Sequence, residues 1–497
     1  MSTRKGIFRL LEIILSGYLL SACGSGNHDA IKEIGRDPEI EPDYSGVTVP
    51  ANIAPLNFII KETGTSFRIN VISSAGDQYF VRSSGNKVRF PVHLWHKLIK
   101  NSANGNIKIE IARETEKGTL EKYSPLIIRV AEDPVDPYLC YRLLYPGFET
   151  YLKIKIIQRS LTDFGERSVI ENQLISNNCV NCHSFNKNDP AKFLVHIRGS
   201  AGGTYFIDGE KISRSELKTA ELNYGAVYPS WHPGGRYVAF SSNNIRQSFH
   251  AAPDEDIEVT DLASSLVIYD TERNELSPIV EKDTVKYMET FPEWSPDGKY
   301  LYYCRALQYK DGAEFSTIKY DLLRKAFNED GKTFGPAELV FDARSIGKSV
   351  SFPKISPDGR YLVFTLHNSG NFSIWHKEAD LYLLDIQTGN IEKMPVNSNE
   401  TESYHSWSSN GKWLVFSSKR GDGLTARPYF AYFGSPGTIG KPFVLPQKDP
   451  ELYERMILTF NKPEFVSGKI RKGPRDFEKA AKNEAVQAHW TGDKDIQ

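Results

Sequence analysis

Neither sign of charge is in excess in this 497-residue chain: 61 Lys and Arg face 62 Asp and Glu. No global field draws it to nucleic acid or to an acidic surface, so nucleic acid is set aside as a partner. Beyond the first two dozen residues, no stretch approaches the roughly 18 apolar residues needed to cross a bilayer. Cysteine is scarce, with five residues. Apart from one close pair they stand singly, so the second Cys or His pair wanted by a structural zinc site is missing. The sequence has no G-x-S-x-G, no H-E-x-x-H and no Rossmann glycine pattern. Ser345-Ile346-Gly347-Lys348-Ser349 resembles the end of a phosphate loop, but Asp342 holds the place of its first glycine. What remains is globular, 40% hydrophobic and 12% aromatic, enough for two or three domains with sizeable cores.

The close pair is the strongest chemical signal. Cys179-Val180-Asn181-Cys182-His183 has the C-x-x-C-H spacing by which two thiols take up the vinyl groups of a haem and the adjacent imidazole takes its iron. A redox dithiol or disulfide is the main other reading of such a pair, and metal binding a lesser one. As haem c, the motif assigns Cys179 and Cys182 to the thioethers and His183 to the iron. His196, 13 residues on, is the first choice for the second axial position, before Met288, Met394, His232, His250 and His376. Arg198 and Lys192 are candidates to neutralise propionates. Six-coordinate iron favours electron transfer, and an open site favours a peroxidase or gas sensor. His93 and His96, and the acidic run with Asp254, Glu255, Asp256 and Glu258, read better as packed or solvated residues than as metal ligands. Pairing of Cys140 with Cys304 stays open.

Arg4, Lys5 and Arg9 open the chain, an apolar run follows from Ile13 to Leu20, and Leu20-Ser21-Ala22-Cys23 closes it. This resembles a bacterial lipoprotein signal, apart from the charge of Glu12 beside the run. The resemblance implies cleavage before Cys23, acylation of its thiol, and a protein held on a membrane of the cell envelope, where disulfides and covalent haem form. The expected organisation is then a signal over 1–22, a tether over 23–44 and a β-sandwich-like domain over 45–135. A hairpin with a C-x-x-C-H haem loop covers 136–200, repeats run over 201–465, and a helical tail spans 466–497. The sandwich is read from alternating runs such as Phe67-Arg68-Ile69-Asn70-Val71 and Ile107-Lys108-Ile109-Glu110-Ile111, whose period of two suits a sheet buried on one face.

The repeats begin at Tyr228-Pro229-Ser230-Trp231-His232-Pro233-Gly234-Gly235-Arg236 and return at Phe291-Pro292-Glu293-Trp294-Ser295-Pro296-Asp297-Gly298-Lys299. Further copies are Phe352-Pro353-Lys354-Ile355-Ser356-Pro357-Asp358-Gly359-Arg360 and Tyr404-His405-Ser406-Trp407-Ser408-Ser409-Asn410-Gly411-Lys412. Each is a strand, a Pro-Asp-Gly type turn and a second strand, and the intervals leave room for four strands. The phrase resembles that of the TolB-like, WD-repeat-like β-propellers, which implies five or six blades. With the signal and the C-x-x-C-H motif, the chain is similar to a group of envelope proteins often labelled cytochrome c biosynthesis or TolB-like proteins. The expectation is an all-β, envelope-anchored haem c protein that carries electrons or couples redox state to binding, with an unknown redox or envelope partner. Its rivals are a haem-free propeller scaffold for a protein or glycan, and a haem enzyme such as a peroxidase.

Overall fold

The computed structural model describes residues 31–115, 119–147, 153–222, 224–252, 255–279, 285–310, 312–434 and 438–492. The signal-like segment, Cys23 and Asp254 lie outside the described residues, as do the side chains of His250, Glu255 and Asp256. No helix among the described residues is long and apolar enough to cross a membrane.

The first unit is a pair of sheets. In Ser66–Ser73 the residues Phe67, Ile69 and Val71 are buried and Arg68 is exposed, as a strand with one face on a core requires. It pairs antiparallel with Gln78–Ser83 and Gly105–Glu114, and the latter pairs with Leu126–Ala131. A three-stranded sheet of Ile40–Glu41, Phe58–Ile60 and Lys87–Val88 accompanies it. The helix Val92–Lys100 buries Trp95, Leu98 and Ile99. His96 Nε2 lies 2.6 Å from the Thr162 carbonyl, a hydrogen bond into the next unit that occupies it structurally.

The rest of the described chain forms six further sheets. Blade one joins Tyr138–Leu144, Lys155–Ser160 and Glu166–Glu171 with the late strand Thr459–Val466, which pairs with Tyr138–Leu144 and closes the ring. Blade two is Cys179–Phe185, Lys192–Arg198, Gly203–Asp208 and Lys211–Glu216. Blades three to six begin at Val227–Trp231, Tyr287–Trp294, Ser349–Ile355 and Glu402–Trp407, each the first strand of an antiparallel sheet. The fold is a six-bladed β-propeller. Two expectations change here. The C-x-x-C-H segment is not an inserted loop: Cys179–Phe185 is the first strand of blade two, because His183, Ser184 and Phe185 pair with Val195, Leu194 and Phe193. The propeller sheets therefore run from Tyr138 to Val466, ahead of the first recognisable repeat phrase. The tail carries one helix, Pro474–Ala481, and then adds Val486–Gln487 and His489–Trp490 to the outer edges of blades two and three.

The repeat phrase is legible in its turns. Ser295 Oγ donates to Asp297 and accepts from the Tyr300 amide, while Asp297 accepts from Lys299. Ser356 with Asp358, and Ser408 with Asn410, repeat the arrangement. Gly298 sits at φ 73°, and a Cβ there would come 2.3 Å from His232 Nε2, so both backbone and space demand glycine. His232, weighed above as an iron ligand, serves the turn instead. Its Nδ1 accepts from the Gly234 amide at 3.2 Å, and Nε2 lies 3.3 Å from the Gly298 carbonyl.

The two units share one core. Trp413, Phe430, Phe443 and Phe460 of the propeller pack in the same cluster as Val47, Phe58 and Val130, and Trp413 Nε1 donates to the Asp133 carbonyl at 3.2 Å. Burial of a large aromatic across this joint predicts that Trp413→Ala costs about 3–5 kcal/mol. A urea titration of the protein checks it, and the loss should appear in one cooperative transition spanning both units.

Candidate functional site

Each blade's inner strand is interrupted at the same place. Two residues face one on the neighbouring strand: Asn181-Cys182, Tyr228-Pro229, Phe291-Pro292, Phe352-Pro353, Tyr404-His405 and Lys462-Pro463. Such bulges lift a residue out of the ladder and re-aim its side chain. Tyr228, Phe291, Phe352, Tyr404 and Lys462 all have φ between 49° and 51°. The four aromatic rings meet in sequence, with centroids 4.5 Å apart for Tyr228–Phe291, 4.1 Å for Phe291–Phe352 and 4.9 Å for Phe352–Tyr404. They form a plug in the propeller's channel. Below it, residues two further along five of the six strands, Ser230, Glu293, Lys354, Ser406 and Glu464, line a polar chamber of about 1180 Å³ including its open side. Lys354 Nζ bonds Glu293 there at 2.6 Å.

Above the plug lies a cavity of about 1300 Å³ including its mouth. Cys179, Asn181 and Cys182 line it from blade two, and Tyr228, Phe352 and Tyr404 form its floor. Ile245 and Val259 come from the long hairpin of Tyr237–Ala252 and Glu255–Asp270 in blade three. Phe372, Ile374 and Trp375 come from the connection between the second and third strands of blade five. The charge is one-sided. Arg142, Arg198, Lys419 and Lys462 line the cavity, and no Asp or Glu is among its described lining residues. Arg142 Nη1 donates to Asn181 at 2.8 Å, Lys462 Nζ to the His183 carbonyl at 3.0 Å, and Lys419 Nζ stands 3.4 Å over the Trp375 ring. Cys140, Cys179, Cys182 and Cys304 are free thiols. Burial pushes the Cys179 thiol up, while Arg142 and Arg198 pull it down.

The thiols of the motif therefore reach the cavity, and its imidazole does not. Cys182 stands in the bulge; His183 rejoins the ladder opposite Val195 and does not line the cavity. It is 1% exposed, packed beside the backbone of Lys462 and Cys140. Burial holds its pKa well below the usual range. His196 lies opposite the bulge, off the cavity, with Nδ1 3.2 Å from Thr204 Oγ1. Burial brings it down to about 3. Met288 and Met394 are core residues of blades four and five. His376 Nε2 is 3.0 Å from Glu258. Lys192 faces Asp208, whereas Arg198 does line the cavity. Cys140 and Cys304 lie in blades one and four and are not paired. Sequence reasoning missed Arg142, Lys419 and Lys462, which carry no motif. Tyr228 and Tyr404 had a signal, since both open a copy of the repeat phrase.

No family model matches the chain, and no curated protein does. Among solved structures it is similar to hydrazine synthase of Kuenenia stuttgartiensis, at 15% identity and TM-score 0.32, covering 52% of this chain and 64% of that one. It is also similar to a gluconolactonase of Xanthomonas campestris, at 9% identity and TM-score 0.35, covering 54% and 76%. A third is prolyl oligopeptidase B of Galerina marginata, at 10% identity and TM-score 0.34, covering 68% and 43%. The chain thus spans less than two thirds of the hydrazine synthase chain it matches. These likenesses concern the fold and carry no function.

One buried acid borders the plug. Asp261 accepts from Asn243 Nδ2 at 3.0 Å, Tyr320 Oη at 2.9 Å and Asn371 Nδ2 at 2.6 Å. Burial raises it from 3.8 to about 6. The folded protein then binds a proton that the unfolded chain has released between those values, so stability falls as pH rises through that window, by on the order of 3 kcal/mol. Denaturant titrations from pH 4 to 6.5 should show this slope, and Asp261→Asn should flatten it.

Proposed function

We propose that this protein is a c-type haem β-propeller of the bacterial envelope, acting as an electron carrier or a redox-linked binding protein. The observation that carries the reading is that both thiols of Cys179-Val180-Asn181-Cys182-His183 open onto a cavity rich in apolar and aromatic side chains, with four cations and no carboxylate among its described lining residues. Cys179 and Cys182 would hold the porphyrin by thioethers, and the bound iron would supply one-electron chemistry. Arg142, Arg198, Lys419 and Lys462 suit the two carboxylates of a haem, charge-assisted contacts being the strong kind. Ile245, Val259, Phe352 and Trp375 exclude water, which strengthens those contacts. Ligation by His183 requires its segment to leave the pairing with Val195, because a strand turns consecutive side chains to opposite faces.

The turn Trp294-Ser295-Pro296-Asp297-Gly298 and its three variant copies support placing the chain with the TolB-like propellers. The lipoprotein-like start supports acylation of Cys23 and attachment to a membrane. The polar chamber below the plug, with its Glu293–Lys354 pair, supports a second reading: a haem-free scaffold holding a protein or glycan in its channel.

Protein exported from a host competent in haem attachment should give a pyridine haemochrome spectrum of covalent haem, and Cys182→Ala should remove the covalent fraction. Colourless wild-type protein of unmodified mass would end the haem reading and leave the scaffold. Binding of carbon monoxide or cyanide would identify open iron and favour a haem enzyme over a carrier. Radiolabelled fatty acid should enter the wild-type protein and not Cys23→Ser.

A further inference from the structure

We infer that the first unit docks on the membrane through the open face of its large sheet, and that the partner this face fits is an anionic bilayer surface. The inference rests on the acylation of Cys23 proposed above and adds to it which surface of the fold meets the lipid. Strand register decides what the face carries. In Ser66–Ser73 the side chains of Phe67, Ile69 and Val71 enter the core, so Arg68 and Ile72 turn outward. Pairing brings Phe80 and Arg82 to the same face from Gln78–Ser83, and Lys108, Glu110 and Glu114 from Gly105–Glu114. Ile127 and Arg129 join them from Leu126–Ala131, and Lys122 from the strand Leu120–Lys122. The edge strand Ile31–Glu33, parallel to Leu120–Lys122, adds Ile31 and Glu33. Three observations point to the partner. Every large apolar side chain that the first unit exposes among its described residues is on this face: Ile31 at 59%, Phe80 at 73% and Ile127 at 38%. Exposed apolar groups gathered on one face mark an interaction surface. The face is also positive although the chain as a whole is near neutral, since Arg68, Arg82, Lys108, Lys122 and Arg129 outnumber Glu33, Glu110 and Glu114. Finally, Ile31 follows Cys23 by eight positions, a reach of at most about 28 Å for a fully extended chain. The edge of this sheet is therefore held close to the bilayer that carries the acyl chains. Cations interspersed with aromatic and aliphatic side chains bind such a surface by joining apolar burial to attraction for anionic headgroups.

The test reconstitutes the full chain, purified from membranes, in vesicles of phosphatidylethanolamine and brominated phosphatidylglycerol. Radiolabelled fatty acid reports the anchor, and bromine quenching of an added indole reports the face. The indole of Phe80→Trp, measured as the difference from wild type, should be quenched. That of Leu339→Trp should not, because Leu339 is also exposed but stands on the outer strand of blade four, away from the joint with the first unit. Substituting brominated phosphatidylcholine for the anionic lipid, or adding Arg68→Gln with Arg82→Gln, should lower the docked fraction several-fold, each cation near such a surface being worth a factor of roughly five. In the wild type, amides of Gln78–Ser83 should exchange hydrogen more slowly on anionic vesicles than in detergent, which holds the test even if a variant fails to fold. Labelled protein with neither the quenching nor the slowed exchange would overturn the docking face and leave the anchor standing. Quenching without label would keep the face and end the anchor, and absence of both would overturn the two together. A dimer in detergent that Phe80→Glu dissociates, with no quenching on vesicles, would make the face a contact between copies and overturn the membrane assignment.

Discussion

The two-residue bulge on each inner strand is the constraint on which the centre of the molecule depends. A propeller's inner strands run side by side around a channel, and their ladders alone would present side chains to neighbouring blades. By lifting one residue per strand out of the ladder, the bulges send Tyr228, Phe291, Phe352 and Tyr404 into the channel, where their rings meet. Proline follows in three of these, at Pro229, Pro292 and Pro353. It suits an interrupted strand because it has no amide to lose from the ladder. The plug so formed divides the channel into a polar chamber, with its Glu293–Lys354 pair, and a cationic cavity.

Blade two obeys the same geometry with different residues. Where the other blades place an aromatic or Lys462, it places Asn181, and where four of the others place proline it places Cys182. The substitution opens the floor on that side and puts a thiol where a ring or pyrrolidine would stand. Cys179 lines the same cavity. A pair that reads as a cofactor motif is thus built from the propeller's own inner-strand register, and the register turns the adjacent imidazole away.

The electrostatics of the cavity come from several blades at once. Arg142 belongs to blade one, Arg198 to blade two, Lys419 follows the second strand of blade six, and Lys462 comes from the closing strand. Lys462 also stands 3.6 Å from Glu464, whose side chain lines the lower chamber. Net charge over the whole chain is near zero, so the one-sided charge of this mouth arises from the folding of distant segments together. The Tyr138–Leu144 and Thr459–Val466 pairing matters for the same reason, since it brings Arg142 and Lys462 to one rim.

Local chemistry wrote the repeats into the sequence. Ser295, Asp297 and Gly298 satisfy one another within a few residues, so their turn is readable without knowing what surrounds it, and the alternation of Phe67, Ile69 and Val71 needs only a sheet. The strand Cys179–Phe185 was not readable in this way. It lacks clean alternation, its bulge breaks the period, and its thiols suggested a loop. His196 is near His183 in sequence, yet pairing across a hairpin set it against Thr204, off the cavity. The all-β propeller and the two thiols were therefore determined by sequence, through turn chemistry and spacing. Which side chains face the cavity, and the gathering of four cations from three blades, were decided by tertiary structure, because ring closure and bulge register couple residues more than 300 positions apart.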